Sequence, residues 1–186
     1  TALFTPDPNN STTAALPRFR FTNESSVPTV LSAFIDKSFW DFGDPSTLDD
    51  TSTEFSPVHF YPADTGTYFV TLRVKTNQNC EDEITLPVII GPDLLVYIPN
   101  AFTPDVGGPL VNEGFRAVVN DAVKDYHMII FNRWGEVLFE TTDKTKQWDG
   151  TYKDEKCKPD VYAYYLEVVS WNGETYDYSG TITLIR

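Results

Sequence analysis

Few residues of this chain have the types and spacing that catalysis requires. Hydrolysis needs a nucleophile beside a base, or two carboxylates held about 5 to 9 Å apart for a glycosidic bond. The only histidines are His59 and His127, and each lies in a strand-like segment where packing is the simpler explanation. The acidic pair Asp49/Asp50, like the other acidic runs, falls in a turn-like segment where carboxylates are ordinarily solvated. The sequence therefore predicts no enzyme active site.

Aromatic residues suggest a second kind of chemistry, because planar rings can stack on the faces of sugars. Trp171 lies in the turn-like segment Ser170-Trp171-Asn172-Gly173, which predicts an exposed ring. Tyr176 and Tyr178 are two residues apart and therefore share one face of a strand. One hypothesis is a carbohydrate-contact strip formed by these three aromatic residues, with surface glycans as the partner.

The composition limits the partners that the chain can bind. The formal net charge is −13 and the isoelectric point is about 4.4, and the basic residues are scattered rather than clustered. A net polyanion is repelled by phosphate groups, so nucleic acid is excluded as a partner. No run of about 18 apolar residues is present, so no membrane-spanning helix is predicted.

Apolar and polar residues alternate over short runs, as they do in half-buried strands. The clearest run is Tyr68/Val70/Leu72/Val74, and comparable runs lie on both sides of Gly91-Pro92-Asp93. That segment predicts a domain boundary, because proline removes a backbone donor and glycine permits unusual backbone angles. We predict an all-β chain with domains over residues 17–91 and 92–186. Residues 1–16, rich in Pro, Asn, Ser and Thr, are predicted to be a linker or the end of a preceding module.

The chain ends in a strand-like segment with no polar tail after it. This segment consists of Gly180, Thr181, Ile182, Thr183, Leu184, Ile185 and Arg186. Because side chains alternate between the two faces of a strand, Ile182 and Leu184 are expected in a core. The opposite face is expected to stay available to a partner, together with Arg186. We also expect the last two residues to add little stability, since terminal residues make few contacts.

Several blocks of residues resemble two known families. Trp40-Asp41-Phe42-Gly43-Asp44 and Gly66-Thr67-Tyr68-Phe69-Val70 resemble a PKD domain, although Pro45 stands where that family usually has Gly. The second half contains four further blocks: Ile98-Pro99-Asn100-Ala101-Phe102-Thr103-Pro104, Ile130-Phe131-Asn132-Arg133-Trp134-Gly135-Glu136, Trp148-Asp149-Gly150-Thr151-Tyr152 and Asp160-Val161-Tyr162-Ala163-Tyr164. With the terminal strand, they resemble the gliding-motility-associated C-terminal domain, the type B sorting domain of type IX secretion cargo. The two resemblances imply two Ig-like antiparallel β-sandwich domains in tandem.

The second resemblance also implies a function in protein export. It implies docking of the terminal segment on the outer-membrane type IX translocon and an associated β-barrel protein, and a product that is secreted or displayed on the bacterial cell surface. The PKD-like half would be a spacer, and the family blocks place three tryptophans in a core or at a corner: Trp40, Trp134 and Trp148. An exported protein needs a signal peptide at its true start. Since the sequence begins without one, we expect a longer parent protein.

Two further sites follow from the resemblance. The sorting family usually continues its Thr-Pro with an acidic turn whose oxygen atoms suit Ca²⁺, and here Asp105, Asn112 and Glu113 are the remaining oxygen donors. Calcium is therefore a candidate cofactor, with a plain glycine turn as the alternative. Thiols of exported proteins tend to be oxidised, so Cys80 and Cys157 are predicted to form a bridge between the domains. The alternative is two free thiols, or thiols that were paired within a longer parent.

Two other functions stay open at the level of sequence. An adhesin or carbohydrate-binding module is favoured if Trp171, Tyr176 and Tyr178 form a flat exposed strip. The other alternative is the non-catalytic tail of a secreted hydrolase whose catalytic domain lies upstream of Thr1.

Overall fold

A computed structural model describes residues 1–28, 32–104 and 112–186 of the chain. They form two compact units, Thr1–Asp93 and Leu94–Arg186, each with its own apolar core. The described residues contain no α-helix, and hence no helix that could cross a membrane. The prediction of an all-β fold with two β-sandwich domains in tandem is confirmed.

The first unit places two sheets around one core. Its strands in chain order are β1 (Phe4–Asp7), β2 (Ser11–Thr13), β3 (Arg18–Asn23), β4 (Ile35–Asp41), β5 (Thr51–Ser52), β6 (Val58–Phe60), β7 (Gly66–Thr76) and β8 (Glu81–Gly91). One sheet has the order β1-β3-β6, and the other has the order β2-β8-β7-β4-β5. Neighbouring strands pair antiparallel except for β2 and β8, which run parallel.

Aromatic rings fill the core of the first unit. The ring of Trp40 is fully buried, and its centroid lies 5.2 Å from that of Phe4 and 5.7 Å from that of Phe21. The predicted linker over residues 1–16 is therefore wrong, because β1 and β2 pair within the sheets and Ala2 and Phe4 belong to this core. The buried positions of β1 are Phe4 and Pro6, so an alternation that includes a proline did not stand out as a strand.

The second unit is built on one five-stranded sheet. Its strands are β9 (Val96–Tyr97), β10 (Ala101–Phe102), β11 (Val118–Val119), β12 (Val123–Phe131), β13 (Val137–Thr141), β14 (Thr151–Tyr152), β15 (Glu155–Lys156), β16 (Asp160–Ser170) and β17 (Thr175–Leu184). The large sheet has the order β10-β17-β16-β12-β13, and two short ladders join β11 to β9 and β14 to β15. Here too one pair is parallel, β10 with β17.

One face of the large sheet forms the core of the second unit. Alternate residues of β12, β16 and β17 are buried against Phe102, Phe115 and Trp148. The backbones of Phe115 and Trp148 exchange two hydrogen bonds of 2.8 Å, which holds the Trp148 turn against the sheet. The opposite face of the same strands points away from this core.

Candidate recognition surface

The terminal strand β17 has one face in the core and one face outside it. Ile182 and Leu184 are each 1% exposed, whereas Thr181 is exposed and Ile185 is 47% exposed. Thr183 is half-buried. The predicted alternation is therefore present in the structure, with Ile182 and Leu184 in the core.

The end of β17 is held on both sides, contrary to the expectation that it makes few contacts. The strand lies between β10 and β16, and the Ile185 N–H donates to the Phe102 carbonyl at 3.0 Å. The Arg186 guanidinium donates through Nη2 to the Gly150 carbonyl at 2.9 Å and through Nε to the Cys157 carbonyl at 3.2 Å. The expectation that Arg186 stays available to a partner is therefore wrong, because its charged group binds two loop carbonyls.

Gly150 provides the space that this end of the chain occupies. Its φ of +76° lies in the left-handed region, which favours glycine. A Cβ at this position would also lie 3.1 Å from both Leu184 Cδ1 and Arg186 Nη2. The neighbouring Trp148 is buried, and its indole N–H donates to the Thr151 carbonyl at 2.8 Å. The Trp-Asp-Gly block is thus a structural seat for the terminal segment.

The outward face of the large sheet carries apolar side chains beside the exposed residues of β17. Strand pairing aligns Phe131 with Ala163 and Thr181, and Ile129 with Tyr165. We name this surface the outer patch, defined by Ile129, Phe131, Val137, Val161, Ala163 and Tyr165. Val161 is 49% exposed and Val137 is 41% exposed, and no member of the patch packs in the core of the second unit. The sequence pattern did not predict this surface.

Acidic side chains border the outer patch. Glu167 lies directly opposite Asp177 on β16 and β17, and like charges in that position are unfavourable. The Tyr165 hydroxyl donates to Asp177 Oδ1 at 2.6 Å, and this hydrogen bond raises the pKa of Tyr165 to about 12. Among the described residues, the ion pairs include neither Glu167 nor Asp177. The margin of the patch therefore carries two carboxylates that have no Lys or Arg in ion-pair contact among the described residues, with His127 aligned to Glu167 on β12.

Two family models match the chain. Residues 9–90 match the PKD domain, and residues 96–184 match the CHU_C Type IX secretion signal domain. The chain is a PKD domain followed by a type IX secretion signal domain. From here the first unit is called the PKD domain and the second the sorting domain. A secretion signal of this type implies interaction with the type IX machinery and export of the protein to the cell surface or the medium.

Solved structures are similar to the chain only at low scores. The fibronectin(III)-like modules of CbhA from Clostridium thermocellum are 11% identical with a TM-score of 0.48, over 98% of this chain and 93% of that one. Carbohydrate-binding modules of the β-sandwich superfamily are 15% identical with a TM-score of 0.42, over 98% and 82%. Dimeric latent PorU from Porphyromonas gingivalis is 13% identical with a TM-score of 0.35, over 100% of this chain and 20% of that one. A comparison with curated protein sequences found no match.

The bridge between Cys80 and Cys157 stays a prediction, because the two thiols belong to different domains. Cys80 lies exposed in the turn between β7 and β8, where its N–H donates to Thr76 Oγ1 at 3.1 Å. Cys157 packs against the core of the sorting domain, and burial raises the pKa of its thiol. Each cysteine is thus fixed by contacts within its own domain.

The structure does not place the three aromatic residues of the predicted sugar-binding strip together on one exposed surface. Tyr178 pairs with the buried Leu166 across the sheet and packs against the core, and Trp171 is half-buried. Instead, the most exposed tryptophan is Trp134, which is 86% exposed although a core or corner position was expected. It lies at the tip of the β12–β13 hairpin, where its backbone N–H donates a hydrogen bond to Asn132 Oδ1 at 2.9 Å. Trp40 and Trp148 are in the cores as expected.

His59 is a packed core residue of the PKD domain. Its ring stacks on Phe42 at 4.2 Å and meets Tyr61 edge-on at 4.5 Å. Its Nε2 lies 3.5 Å from Asp44 Oδ2, and both side chains are almost inaccessible. Burial lowers the pKa of His59, although the nearby carboxylate of Asp44 opposes this shift. His127, on the sorting domain, pairs with Glu140 at 2.8 Å. Both matching families are non-catalytic domains.

Calcium binding stays a prediction. Asp105 lies outside the described residues, while Asn112 is exposed and its backbone carbonyl accepts the Thr103 N–H at 3.0 Å. Within residues 1–28, 32–104 and 112–186, no group of three or more His, Cys, Asp or Glu side chains could hold a metal ion. Glu113 is half-buried there and would need Asp105 to complete a set of oxygen ligands.

Proposed function

We propose that the sorting domain directs its parent protein through the type IX translocon of the outer membrane. It does so by docking on the translocon and an associated β-barrel protein, with Gly180–Arg186 as the recognition element. The observation that carries this proposal is the match of residues 96–184 to the secretion signal family, which ends at the last residue of β17.

The geometry of β17 supports different roles for the two faces of the recognition element: one packs in the core and the other is exposed. Ile182 and Leu184 hold the strand in the core, so the exposed Thr181 and Ile185 keep fixed positions on the other face. A surface that is ordered before binding avoids much of the entropy cost of forming a complex. The charge of Arg186 fixes the end of the strand to the loop carbonyls, while the outward side chains make the contact.

We further propose that the parent is a bacterial cell-surface protein in which the PKD domain serves as a spacer. Each domain has its own core, so each is expected to fold without the other. The PKD domain contributes length and separation, and the sorting domain contributes the signal. An adhesin-like parent fits this arrangement. Glycan binding has no support from the aromatic residues predicted for it, because Tyr178 faces the core.

Reporter fusions in a bacterium with a type IX system test the proposal. A signal peptide and a fluorescent reporter are placed before the full chain, before Leu94–Arg186 alone, or before Thr1–Asp93 alone. We expect the first two fusions at the surface or in the medium, and the third in the periplasm. A strain without the translocon is the control and should retain all three. An intact Leu94–Arg186 fusion that stays in the periplasm of the wild-type strain would contradict the proposal.

A further inference from the structure

We propose that the outer patch docks on a protein partner whose contact surface is apolar and carries a Lys or Arg at its margin. The inference rests on the proposed function and extends it from the terminal segment to a sheet face formed by β12, β13 and β16. It also names the chemistry of the partner. That face would contact the secretion machinery together with the exposed residues of β17.

The apolar character of the patch is the first argument. An antiparallel sheet that faces water on one side normally has polar side chains there. In the sorting domain, Phe131, Ala163 and Val161 are neighbours on that side, and Ile129 and Tyr165 extend the surface along the same strands. Contiguous exposed apolar surface marks interaction sites more often than isolated apolar residues do. The patch adjoins Thr181, so it continues the proposed recognition element.

The charge at the margin is the second argument and selects the partner. Glu167 and Asp177 face one another across the strands with no cation in an ion pair among the described residues. A Lys or Arg of the partner would relieve the repulsion between the two carboxylates. Anionic lipid would be repelled by the same pair. The complementary surface is therefore apolar at its centre and basic at its margin, which is the chemistry of a protein.

The size of the patch indicates a transient complex. A stable interface involves about 20 to 30 residues on each side, whereas the patch and the exposed residues of β17 are far fewer. Weak, short-lived contact suits a signal that must be released after it has been recognised. We therefore expect a substitution in the patch to change the rate of export. We do not expect a complex that is stable enough to survive purification.

Arginine substitutions on two exposed surfaces of the same domain test the position of the docking site. In the full chain fused to a signal peptide and reporter, Ala163→Arg places a bulky cation in the patch. Val118→Arg makes a matched change on β11, where Val118 is 47% exposed and outside the patch. We expect export of the first variant to be about tenfold slower, equivalent to about 1.4 kcal/mol. The second should be exported at the wild-type rate, and both should melt like the wild type.

Charge removal tests the chemistry of the partner. The double variant Glu167→Gln/Asp177→Asn removes the acidic pair with little change of shape, and Asp154→Asn/Glu155→Gln removes the same charge at the β14–β15 turn. We expect export of the first to be about threefold slower, since charges at a margin act mainly on association rates. The second should be unaffected. Equal export rates for the two double variants would contradict the inference that the partner carries a Lys or Arg at its margin.

The outcomes separate this inference from the proposed function. Wild-type export with an unaffected Ala163→Arg variant overturns the inference and leaves the proposed function standing. If the wild-type fusion is not exported, both the proposed function and the inference are contradicted. If Ala163→Arg melts at a lower temperature, Val161→Lys replaces it, since that side chain is 49% exposed. Sedimentation of the purified chain identifies a different occupant: a wild-type dimer that Ala163→Arg dissociates would show that a second copy covers the patch, which also overturns the inference.

Discussion

The outward faces of the two five-stranded sheets differ although the sheets share an architecture. In each sheet a short early strand runs parallel to the last strand of the domain, β2 with β8 and β10 with β17. On the PKD sheet the outward charged residues pair with one another, Arg73 with Glu83 at 3.1 Å and Lys75 with Glu81 at 2.9 Å, beside the exposed rings of Phe39 and Phe69. On the sorting sheet the apolar patch lies instead beside Glu167 and Asp177, which have like charge and face one another.

The two sheets show how one scaffold can present different surface charges. Cross-strand pairs of opposite charge neutralise the charged side chains of the PKD sheet. The sorting sheet carries a repulsive acidic pair beside its apolar patch, and an added surface of opposite charge would relieve that repulsion. The difference therefore lies in the charges of the outward faces, while the strand order of the two five-stranded sheets is the same.

The largest expected effect separates the two faces of β17. Leu184→Asp buries an unpaired charge in the core, so we expect the sorting domain to lose about 4 kcal/mol or more and to unfold. Thr183→Asp is the matched control on the outward face and should melt nearly normally. Thermal melts of the purified chains, followed separately for each domain, measure both. Similar melts for the two variants would contradict the assignment of the faces.

A smaller effect is expected where the chain end is anchored. Arg186→Ala leaves the Gly150 and Cys157 carbonyls without their charged donor, and we expect a loss of about 1 to 2 kcal/mol. Arg186→Lys keeps the charge without the planar fork and should recover only part of it. Denaturant unfolding of the sorting domain measures the change, and the PKD domain serves as an internal reference. An unchanged midpoint for Arg186→Ala would show that the contacts are not stabilising.

Acid is expected to destabilise the PKD domain first. The pKa of His59 is lowered in the folded state, so the unfolded chain binds more protons as pH falls below about 6.5. Stability should then fall by up to about 1.4 kcal/mol per pH unit. The pKa of Asp44 is also lowered, because hydrogen bonds from Ser46 and Thr47 outweigh its burial. Its contribution is present above about pH 3.8 and is lost only at lower pH.

Melts of the PKD domain between pH 7.5 and 4.5, as chosen test conditions, check this window. His59→Phe is the control, since a phenyl ring can still stack on Phe42 but cannot bind a proton. We expect the variant to have a flat profile where the wild type declines. A decline of equal steepness in the variant would assign the acid sensitivity to other groups.

The smallest expected effect concerns the paired face of the PKD sheet. Glu83→Gln breaks the exposed ion pair with Arg73 and should cost less than about 1 kcal/mol. Export of the full-chain fusion should not change. Slower export of this variant at an unchanged melting temperature would give the PKD sheet a part in recognition and would remove the contrast between the two domains.

The sequence pattern predicted the strands in which one face is buried and the other face is polar. The alternation in β7 predicted that strand, and the alternation at the end of β17 predicted the burial of Ile182 and Leu184. The outer patch could not be found in this way, because Met128, Ile129, Ile130 and Phe131 are apolar on both faces of β12. A continuous apolar run carries no period that distinguishes the core face from the outward face.

The remaining misses share a physical cause. The anchoring of Arg186 depends on the carbonyls of Gly150 and Cys157, and backbone groups leave no signature in the residue types. Trp134 is exposed because it lies at a tight hairpin tip. No part of the core reaches that position, so its hydrophobic ring is not buried. Tyr176 and Tyr178 share one face of β17 as predicted, but Tyr178 on that face packs against the core of the sorting domain rather than standing free.

The parallel pairing of β10 and β17 has a consequence for the order of folding. It joins Ala101 to Thr183 and Phe102 to Leu184, residues separated by most of the sorting domain. Contacts between distant residues form late, because the intervening chain must first be closed into a loop. The sheet has a gap between β10 and β16 until β17 enters it. The strand proposed to carry the signal is thus the strand that completes the fold, so only a folded sorting domain would present it.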